Sequence, residues 1–286
     1  MPLRLGSLTP AALRVGASEV TAAYLGSTLV YTSGPAGLDP DAEAYLQAVE
    51  AADGQSLEEN VRLAVNDFVV GCKSDGNWDA IKASAILAGA RTLAGALVAL
   101  KGTAPTNFNF VSGDYDRKTG LKGDASTKYL STNRANNADP RDNNHNSFYL
   151  TEAPTSGLKF FMGSDPGPTA GANNFLQNTD NRIYTRNRTS TYNNTLLSAF
   201  ILGFKGSSRS NSAEFNWRDD GTTNVYTRPS DVPSASVIQI FDRGTTPPHS
   251  PSDARISFYS IGESVDLDLL DVRVTALMTA FGTAIP

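Results

Sequence analysis

The sequence predicts a mainly β protein: an antiparallel sandwich or barrel, preceded by a helical segment and closed by an amphipathic helix. Short strand-like runs alternate with Gly, Asn, Asp, Ser and Pro clusters at fairly even spacing across residues 102–263. Many short strands joined by polar turns are typical of sandwiches and barrels. A ten-residue repeat near the N-terminus predicts a second, smaller β segment.

Composition excludes several classes of protein. The chain has 286 residues, of which 40% are hydrophobic, enough for one large core with small appendages. The net charge of −5 creates no overall field that attracts nucleic acid or an acidic membrane. No apolar run reaches the length that spans a bilayer, and the first residues lack the pattern of a signal peptide. We therefore expect synthesis in the cytosol, no nucleic-acid partner and no membrane insertion.

Residues 1–33 contain a unit that recurs every ten residues, with apolar residues that alternate as they do in a strand. Three such units predict a small meander that cannot enclose a core of its own. It packs either on the rest of this chain or on another protein, and the Gly-Pro-rich linker in residues 34–41 favours the second alternative. The residues expected to anchor it are Leu5, Gly6, Val15, Gly16, Tyr24, Leu25, Gly26 and Val30.

Residues 42–101 are predicted to form a mostly helical segment that leads into the sandwich. Asp39-Pro40 is a helix start signal, and a capping box at Ser56-Leu57-Glu58-Glu59 predicts the start of a second helix. The single cysteine, Cys72, lies on the apolar stripe of that second helix and is expected to be a buried structural thiol. Asn77-Trp78-Asp79-Ala80-Ile81 predicts one more short helix. The following ASAILAGARTLAGALVALKG fits either a helix or two buried strands.

Residues 102–286 are predicted to contain the sandwich and a terminal helix. The strand-like runs include SFYLTE, LKFFMG, RIYTR, AEFNW and RISFYSI. The last residues form one helical stripe, which contains Leu267, Leu270, Val274, Leu277, Met278 and Phe281. Both histidines, His145 and His249, are expected in polar loops.

Several motifs resemble one family. In order they are WDAIK, an apolar stretch that ends in LKG, FVSGDYDRKTGLKGDASTKYLST and ARISFYSIGESVD. The chain from about residue 42 to the end resembles the concanavalin A-like (laminin G-like) lectin domains of tailed-bacteriophage tail, fibre and baseplate proteins. The opening LGS units resemble N-terminal segments of phage structural proteins. The resemblance implies an antiparallel jelly-roll sandwich that faces outward from a virion.

The resemblance and the repeat together predict a virion structural protein that is assembled in the host cytoplasm. Its N-terminal segment would bind other virion proteins, and its sandwich would contact a host surface polysaccharide or receptor. Repetition suits a symmetric assembly, and we expect a homotrimer. A tail-fibre, tail-tip or baseplate component is the first hypothesis. The alternatives are a capsid decoration protein and a polysaccharide depolymerase.

The carboxylates give no sign of an enzyme. Glycosidases need two carboxylates on either side of the scissile bond, and concanavalin A-like glycosidases carry them as E-x-D-x-x-E on one strand. No Glu in this chain is followed two residues later by Asp. Asp114 and Asp116 share one strand face, but the residues around them predict an exposed turn. Glu214 is a lone acid, so we expect no catalytic site.

The Asn-rich stretch at residues 133–146 raises the question of a metal ion. Calcium requires six to eight converging oxygens. Asn and Asp are also ordinary turn residues, and Arg134 and Arg141 would repel a cation. We expect no metal and no cofactor.

Two segments have the residue types that bind glycans, namely aromatic rings with amide and charged groups nearby. They are residues 182–194 and residues 214–228. The candidate ligand-binding residues are Arg186, Arg188, Tyr192, Trp217, Arg218 and Tyr226. Strand alternation also allows Trp217 to be a core residue. The arginines suit an anionic ligand such as a sulfated or phosphorylated polysaccharide.

Overall fold

The computed structural model describes residues 14–15, 18–19, 22–25, 28–32, 37–165, 171–180, 182–194, 202–244 and 250–286. The chain divides into two compact units, Met1–Pro40 and Asp41–Pro286. Its helices are α1 Pro40–Asp53, α2 Glu59–Ser74, α3 Leu93–Ala96 and α4 Leu267–Ala284. Its strands are β1 Arg14–Val15, β2 Ser18–Glu19, β3 Ala22–Leu25, β4 Thr28–Thr32, β5 Ile81–Ile86, β6 Thr106–Phe108, β7 Tyr115–Asp116, β8 Gly120–Lys122, β9 Tyr129–Ala135, β10 Asn144–Glu152, β11 Lys159–Gly163, β12 Ala172–Gln177, β13 Ile183–Thr189, β14 Asn193–Asn194, β15 Gly203–Arg209, β16 Glu214–Asp219, β17 Thr222–Thr227, β18 Val237–Ile240 and β19 Arg255–Gly262.

The first unit contains short strands, as the repeat predicts. β1 pairs with β2 and β3 pairs with β4, both antiparallel. The three-unit meander stays a prediction, because much of residues 1–33 lies outside the described residues. Of the predicted anchor residues, Val15, Tyr24, Leu25 and Val30 lie in these strands. The other four, Leu5, Gly6, Gly16 and Gly26, lie outside the described residues.

The second unit is the predicted antiparallel sandwich. One sheet, in the order β17-β16-β15-β10-β19-β8-β7 with β5 also paired to β19, carries α2 and α4 on its outward side. We call it the helix-side sheet. The other, which we call the outer sheet, has the order β14-β13-β12-β11-β18-β9-β6. Their facing side chains form the core. For example, the Phe148 ring lies 5.4 Å from the Phe161 ring and 5.3 Å from the Phe175 ring.

The helices bury the stripes that the sequence predicts. α1 begins at Pro40, as expected, and the apolar residues of α2 face the helix-side sheet, where Phe68 makes an edge contact with Phe258. α4 begins after Asp266, whose carboxylate accepts hydrogen bonds from two backbone N–H groups of the first turn. α4 packs on α2 and on β15 and β16. None of the described helices is both long and apolar enough to cross a lipid bilayer.

Four predictions for the segment before the sandwich are wrong. Asn77–Ile81 forms a turn that leads into β5, and β5 pairs with β19, so the sandwich begins at Ile81 and not at residue 102. The stretch after Ile81 holds one strand and the short helix α3, so it is neither one helix nor two strands. The N-cap of α2 is Glu58, without a side-chain cap, because its carboxylate instead binds Arg91 and Arg117.

The cysteine and one histidine are fully buried. Cys72 is buried as predicted, and burial raises the pKa of its thiol to about 12. His145 does not lie in a polar loop but on β10, where the helix-side sheet and the helices enclose it. Its surroundings are polar, and this is why the sequence gives it a loop-like context. His249 lies outside the described residues.

Candidate functional site

A cavity of about 300 Å³ opens on the outward face of the outer sheet. We call it the outer-sheet pocket. It is lined by Leu158, Phe160, Leu176, Asn178, Tyr184, Tyr192 and Arg243. Apolar walls with a few polar groups are typical of small-molecule sites.

Strand pairing brings the floor of this pocket together. Phe160 of β11 pairs with Leu176 of β12, and Leu176 pairs with Tyr184 of β13. Because side chains alternate along a strand, the neighbouring Phe175 and Ile183 point into the core. The pocket floor is therefore a cross-strand row of one aliphatic and two aromatic side chains.

Polar side chains continue this face. Asn174 of β12 pairs with Arg186 of β13, and its Nδ2 donates a hydrogen bond to the Tyr192 hydroxyl at 3.3 Å. The Arg186 guanidinium lies against the Tyr192 ring, with 4.6 Å between Cζ and the ring centre. Burial lowers the pKa of Arg186 from its ordinary value.

Two further contacts fix the remaining walls. The Arg243 guanidinium lies 4.8 Å from the centre of the Phe160 ring. The Tyr184 hydroxyl donates a hydrogen bond to the Asp180 carboxylate at 2.9 Å. Both contacts hold long side chains in defined positions, so the pocket is largely formed before a ligand arrives.

Two of the six predicted ligand-binding residues, Arg186 and Tyr192, lie at this pocket. Tyr226 and Arg218 do not. Tyr226 is on the helix-side sheet, where its ring packs against those of Phe215 and Trp217. Arg218 forms ion pairs with Asp268 and Asp271 of α4, so it fastens that helix to the sheet.

Burial makes Trp217 and Arg188 unsuitable as ligand contacts. Each is only 1% exposed. Trp217 belongs to the sandwich core, which is the alternative that strand alternation allows. Arg188 donates hydrogen bonds to the backbone carbonyls of Asn136, Asp139 and Pro140. For these two residues, the expectation of ligand binding is corrected to a structural role.

Few features of the sequence indicate the other pocket residues. Phe160 and Phe161 are adjacent aromatic residues on opposite faces of β11, with Phe160 at the pocket and Phe161 in the core. Arg243 follows β18 in the chain and reaches the pocket only because β18 pairs with β11. Tyr184 lies within the predicted segment 182–194, and strict alternation with Ile183 is the signal that could have identified it.

Two groups of polar residues elsewhere have a structural explanation. His145 Nε2 lies 2.9 Å from the Ser260 hydroxyl, yet both residues are 0% exposed, so a substrate has no access to this pair. Asp114 accepts hydrogen bonds from Val111 N–H and from Lys128. Asp116 caps the turn that follows it.

The Asn-rich stretch at residues 133–146 uses its carboxylates within the fold. Asp139 pairs with Arg134, and Asp142 accepts a hydrogen bond from Ser230. In the described part of the chain, no group of three or more His, Cys, Asp or Glu side chains is arranged to hold a metal ion.

A larger concavity, of about 580 Å³, lies along the exposed face of α4. Its lining is Asp271, Val272, Thr275, Ala276, Thr279, Ala280 and Thr283. This surface has short side chains and no aromatic ring. Two of its threonine hydroxyls, those of Thr279 and Thr283, already donate to backbone carbonyls of the same helix. The outer-sheet pocket is therefore the better candidate.

No protein-family model matches the sequence, and no curated protein matches it at a significant level. Among solved structures, a mutant of Trypanosoma rangeli sialidase with trans-sialidase activity is 10% identical, with a TM-score of 0.46 over 76% of this chain and 39% of that chain. The botulinum neurotoxin serotype D binding domain is 12% identical, with a TM-score of 0.45 over 69% of this chain and 51% of that chain. Domains LG4-5 of the mouse laminin α1 chain are 14% identical, with a TM-score of 0.35 over 49% of this chain and 40% of that chain. The chain thus spans less than two thirds of each, and the likeness concerns the arrangement of strands.

Proposed function

We propose that this protein binds glycans at the outer-sheet pocket and performs no reaction on them. The observation that carries the proposal is the row of Phe160, Leu176 and Tyr184 with Tyr192 at its edge. A sugar ring presents C–H groups on its faces and hydroxyl groups around its rim. An aromatic and aliphatic floor covers the faces, and polar side chains at the edge can meet the hydroxyls.

The polar groups around the floor support this use. Asn178 and Arg243 line the pocket, so an amide and a guanidinium lie beside the aromatic rings. Amides both donate and accept hydrogen bonds, as sugar hydroxyls do. Placing a few polar groups around an apolar surface fixes the orientation of a ligand.

The lining also supports binding without catalysis. None of the lining side chains in the described residues is a carboxylate, whereas glycoside hydrolysis uses two. The nearby Asp180 accepts a hydrogen bond from Tyr184, which is a positioning contact. A reducing-end release assay on bound polysaccharide tests this part, and sustained turnover would contradict it.

The binding test compares single substitutions in the full chain. On a glycan array followed by titration of the best oligosaccharide, Tyr184→Ala and Tyr192→Ala should each weaken binding about tenfold. Tyr129→Ala is the matched control, because Tyr129 lies on the same sheet but stacks on Phe108 outside the pocket. Tyr129→Ala should change the Kd less than twofold. Absence of glycan binding, or unchanged affinity in both folded pocket variants, would overturn the proposal.

We further propose that the glycan-binding unit serves a tailed-bacteriophage virion, at a tail fibre, tail tip or baseplate, where it attaches to a host polysaccharide. The support is the resemblance of the TGLKGD and FYSIGE motifs to phage lectin-like domains, together with the separate unit Met1–Pro40. That unit would bind other virion proteins and set a homotrimer. Immunogold labelling of phage particles tests the location, and label at the capsid would favour the decoration-protein alternative.

A further inference from the structure

Arg186 is a buried cation whose Nε has no hydrogen-bond acceptor among the described residues. Its side chain is 5% exposed, and its Nε is buried with no hydrogen-bond partner in the described part of the chain. Its guanidinium lies against the face of the Tyr192 ring. A guanidinium removed from water is costly unless its N–H groups meet acceptors.

The other three buried arginines of the described residues each have acceptors, although Arg188 Nε, like Arg186 Nε, has none. Arg188 donates to three backbone carbonyls. Arg209 donates to the carbonyl oxygens of four residues. Arg218 binds two carboxylates. Each of these three arginines thus donates from its guanidinium to at least two acceptors, whereas the buried Nε of Arg186, at the edge of the pocket, has no partner among the described residues.

The charges around Arg186 favour an anion. Arg243, a lining residue, adds a second positive charge near Arg186, and Asp165 is the carboxylate that faces it. Asp180 is occupied by the Tyr184 hydroxyl. The burial of Arg186 and repulsion from Arg243 both lower the pKa of Arg186, whereas Asp165 raises it, and a bound anion would add to the effect of Asp165.

We infer that the outer-sheet pocket selects acidic saccharides, and that Arg186 and Arg243 receive the carboxylate or sulfate group at the Tyr192 end. This inference rests on the proposed glycan-binding function and narrows its ligand class. A guanidinium matches carboxylate and sulfate oxygens with paired hydrogen bonds. In a desolvated position such a bond is stronger than it is in water. Phe160, Leu176 and Tyr184 would hold the sugar ring that carries the anionic group.

The experiment uses three oligosaccharides with one backbone: a neutral form, a uronic-acid form and a sulfate ester. The full-length protein should bind at least one anionic form ten or more times more tightly than the neutral form. The preference should shrink as ionic strength rises from 50 to 500 mM, because salt screens the charges. Comparison of the uronic-acid form with the sulfate ester identifies which anion the site binds.

Arg186→Gln and Arg243→Gln should each reduce the preference for the anionic form over the neutral form to about twofold. Lys118→Gln makes the same charge change in an exposed turn of the helix-side sheet and should leave the preference intact. Arg186→Gln should melt at or above the wild-type temperature, because it removes an unsatisfied buried charge. If it does not fold, Arg243→Gln alone decides the test.

The outcomes separate the two proposals. The wild-type protein could bind the neutral and anionic forms with equal affinity, while Tyr184→Ala weakens binding to all of them. That result would overturn the acidic-ligand inference and keep the glycan-binding proposal. A preference that survives the Arg186→Gln, Arg243→Gln double variant would overturn the assignment of these residues. Absence of binding to all three oligosaccharides and to the array would reject both.

Discussion

At the scale of single residues, one extra residue in a strand decides the roles of two arginines. Strict alternation along β13 would put Arg186 and Arg188 on the same face. Ala172 pairs with Thr189 and Asn173 pairs with Asn187, so Arg188 is left over as a bulge. Its backbone has a φ of 50°. The bulge turns Arg188 inward while Arg186 stays on the outward face, because bulges redirect side chains.

His145 makes stability depend on pH. Burial lowers the pKa of His145 to about 4. The Glu263 carbonyl and the Asp139 carboxylate act to raise this pKa, and Arg134 acts to lower it. The unfolded chain therefore binds the proton first as pH falls, so stability is complete above pH 6.5 and decreases from there toward pH 4. Between pH 7.5 and 5 we expect a loss of about 2 kcal/mol in urea unfolding.

The matched variant for this experiment is His145→Asn, which keeps a side-chain donor for the Glu263 carbonyl. His249 is present in both proteins, so the difference between their pH profiles isolates His145. The variant should be less stable at pH 7.5 but should lose little more as the pH falls to 5. Parallel profiles for the two proteins would show that His145 does not cause the loss.

Residue types near the pocket could be predicted, but burial could not. Arg186 and Tyr192 lie in a segment that combines aromatic rings with amide and charged side chains, and these residue types predict a glycan site. Trp217 belongs to a strand whose other face is also covered, since Arg218 binds α4 there. Because both faces are covered, strand alternation does not show which face contains the core. The sequence therefore allows Trp217 to be either a ligand contact or a core residue.

At the scale of elements, α4 shows how well a long periodic stripe predicts structure. All six residues of its predicted stripe are buried. By contrast, the sequence leaves most of β5 open between helix and strand, because β5 is buried on both faces, with the pattern BiBBBB. A strand buried on both faces has no alternation of apolar and polar residues, so its sequence resembles that of a buried helix.

The C-terminal end of α4 provides a test of packing. The Phe281 ring lies so close to Gly89 that a Cβ there would come within 2.7 Å of it. Phe281→Ala should therefore cost about 3–5 kcal/mol in urea unfolding, through lost burial and a cavity. Val272→Ala is the control on the same helix, since Val272 is 56% exposed, and it should change stability by less than about 0.5 kcal/mol. Equal effects of the two substitutions would show that this end of α4 is not packed on the sheet.

At the scale of the whole molecule, the second unit has two unlike outward faces. The helix-side sheet is covered by α2 and α4, whereas the described residues leave the outward face of the outer sheet open at the pocket. The sandwich class was predictable from evenly spaced strands and polar turns. The order of strands within each sheet was not, because β18 and β11 meet across a large separation in sequence. The pocket depends on that order, and for this reason the sequence revealed only part of it.

The last prediction concerns the N-terminal unit. If residues 1–33 are an anchor for assembly, the second unit must fold without them. The described contacts of α1 support this: Asp41 accepts a hydrogen bond from the Trp78 indole and pairs with Lys73, and Ala42, Tyr45 and Leu46 are buried. All of these residues lie after Leu38. The core between the two sheets likewise consists of residues from Ala83 onward.

A variant that begins at Leu38 should therefore remain soluble and unfold cooperatively, within about 2 °C of the full chain. The apolar residues of the repeat are too many to leave in water, and burying one such side chain contributes roughly 1.5–3 kcal/mol. Covering them between subunits would favour association, and the short strands offer edges that can pair. Light scattering should then find a trimer for the full chain and a monomer for the variant. If the variant aggregates or melts far below the full chain, the repeat belongs to the sandwich's own core, and the anchor hypothesis is wrong.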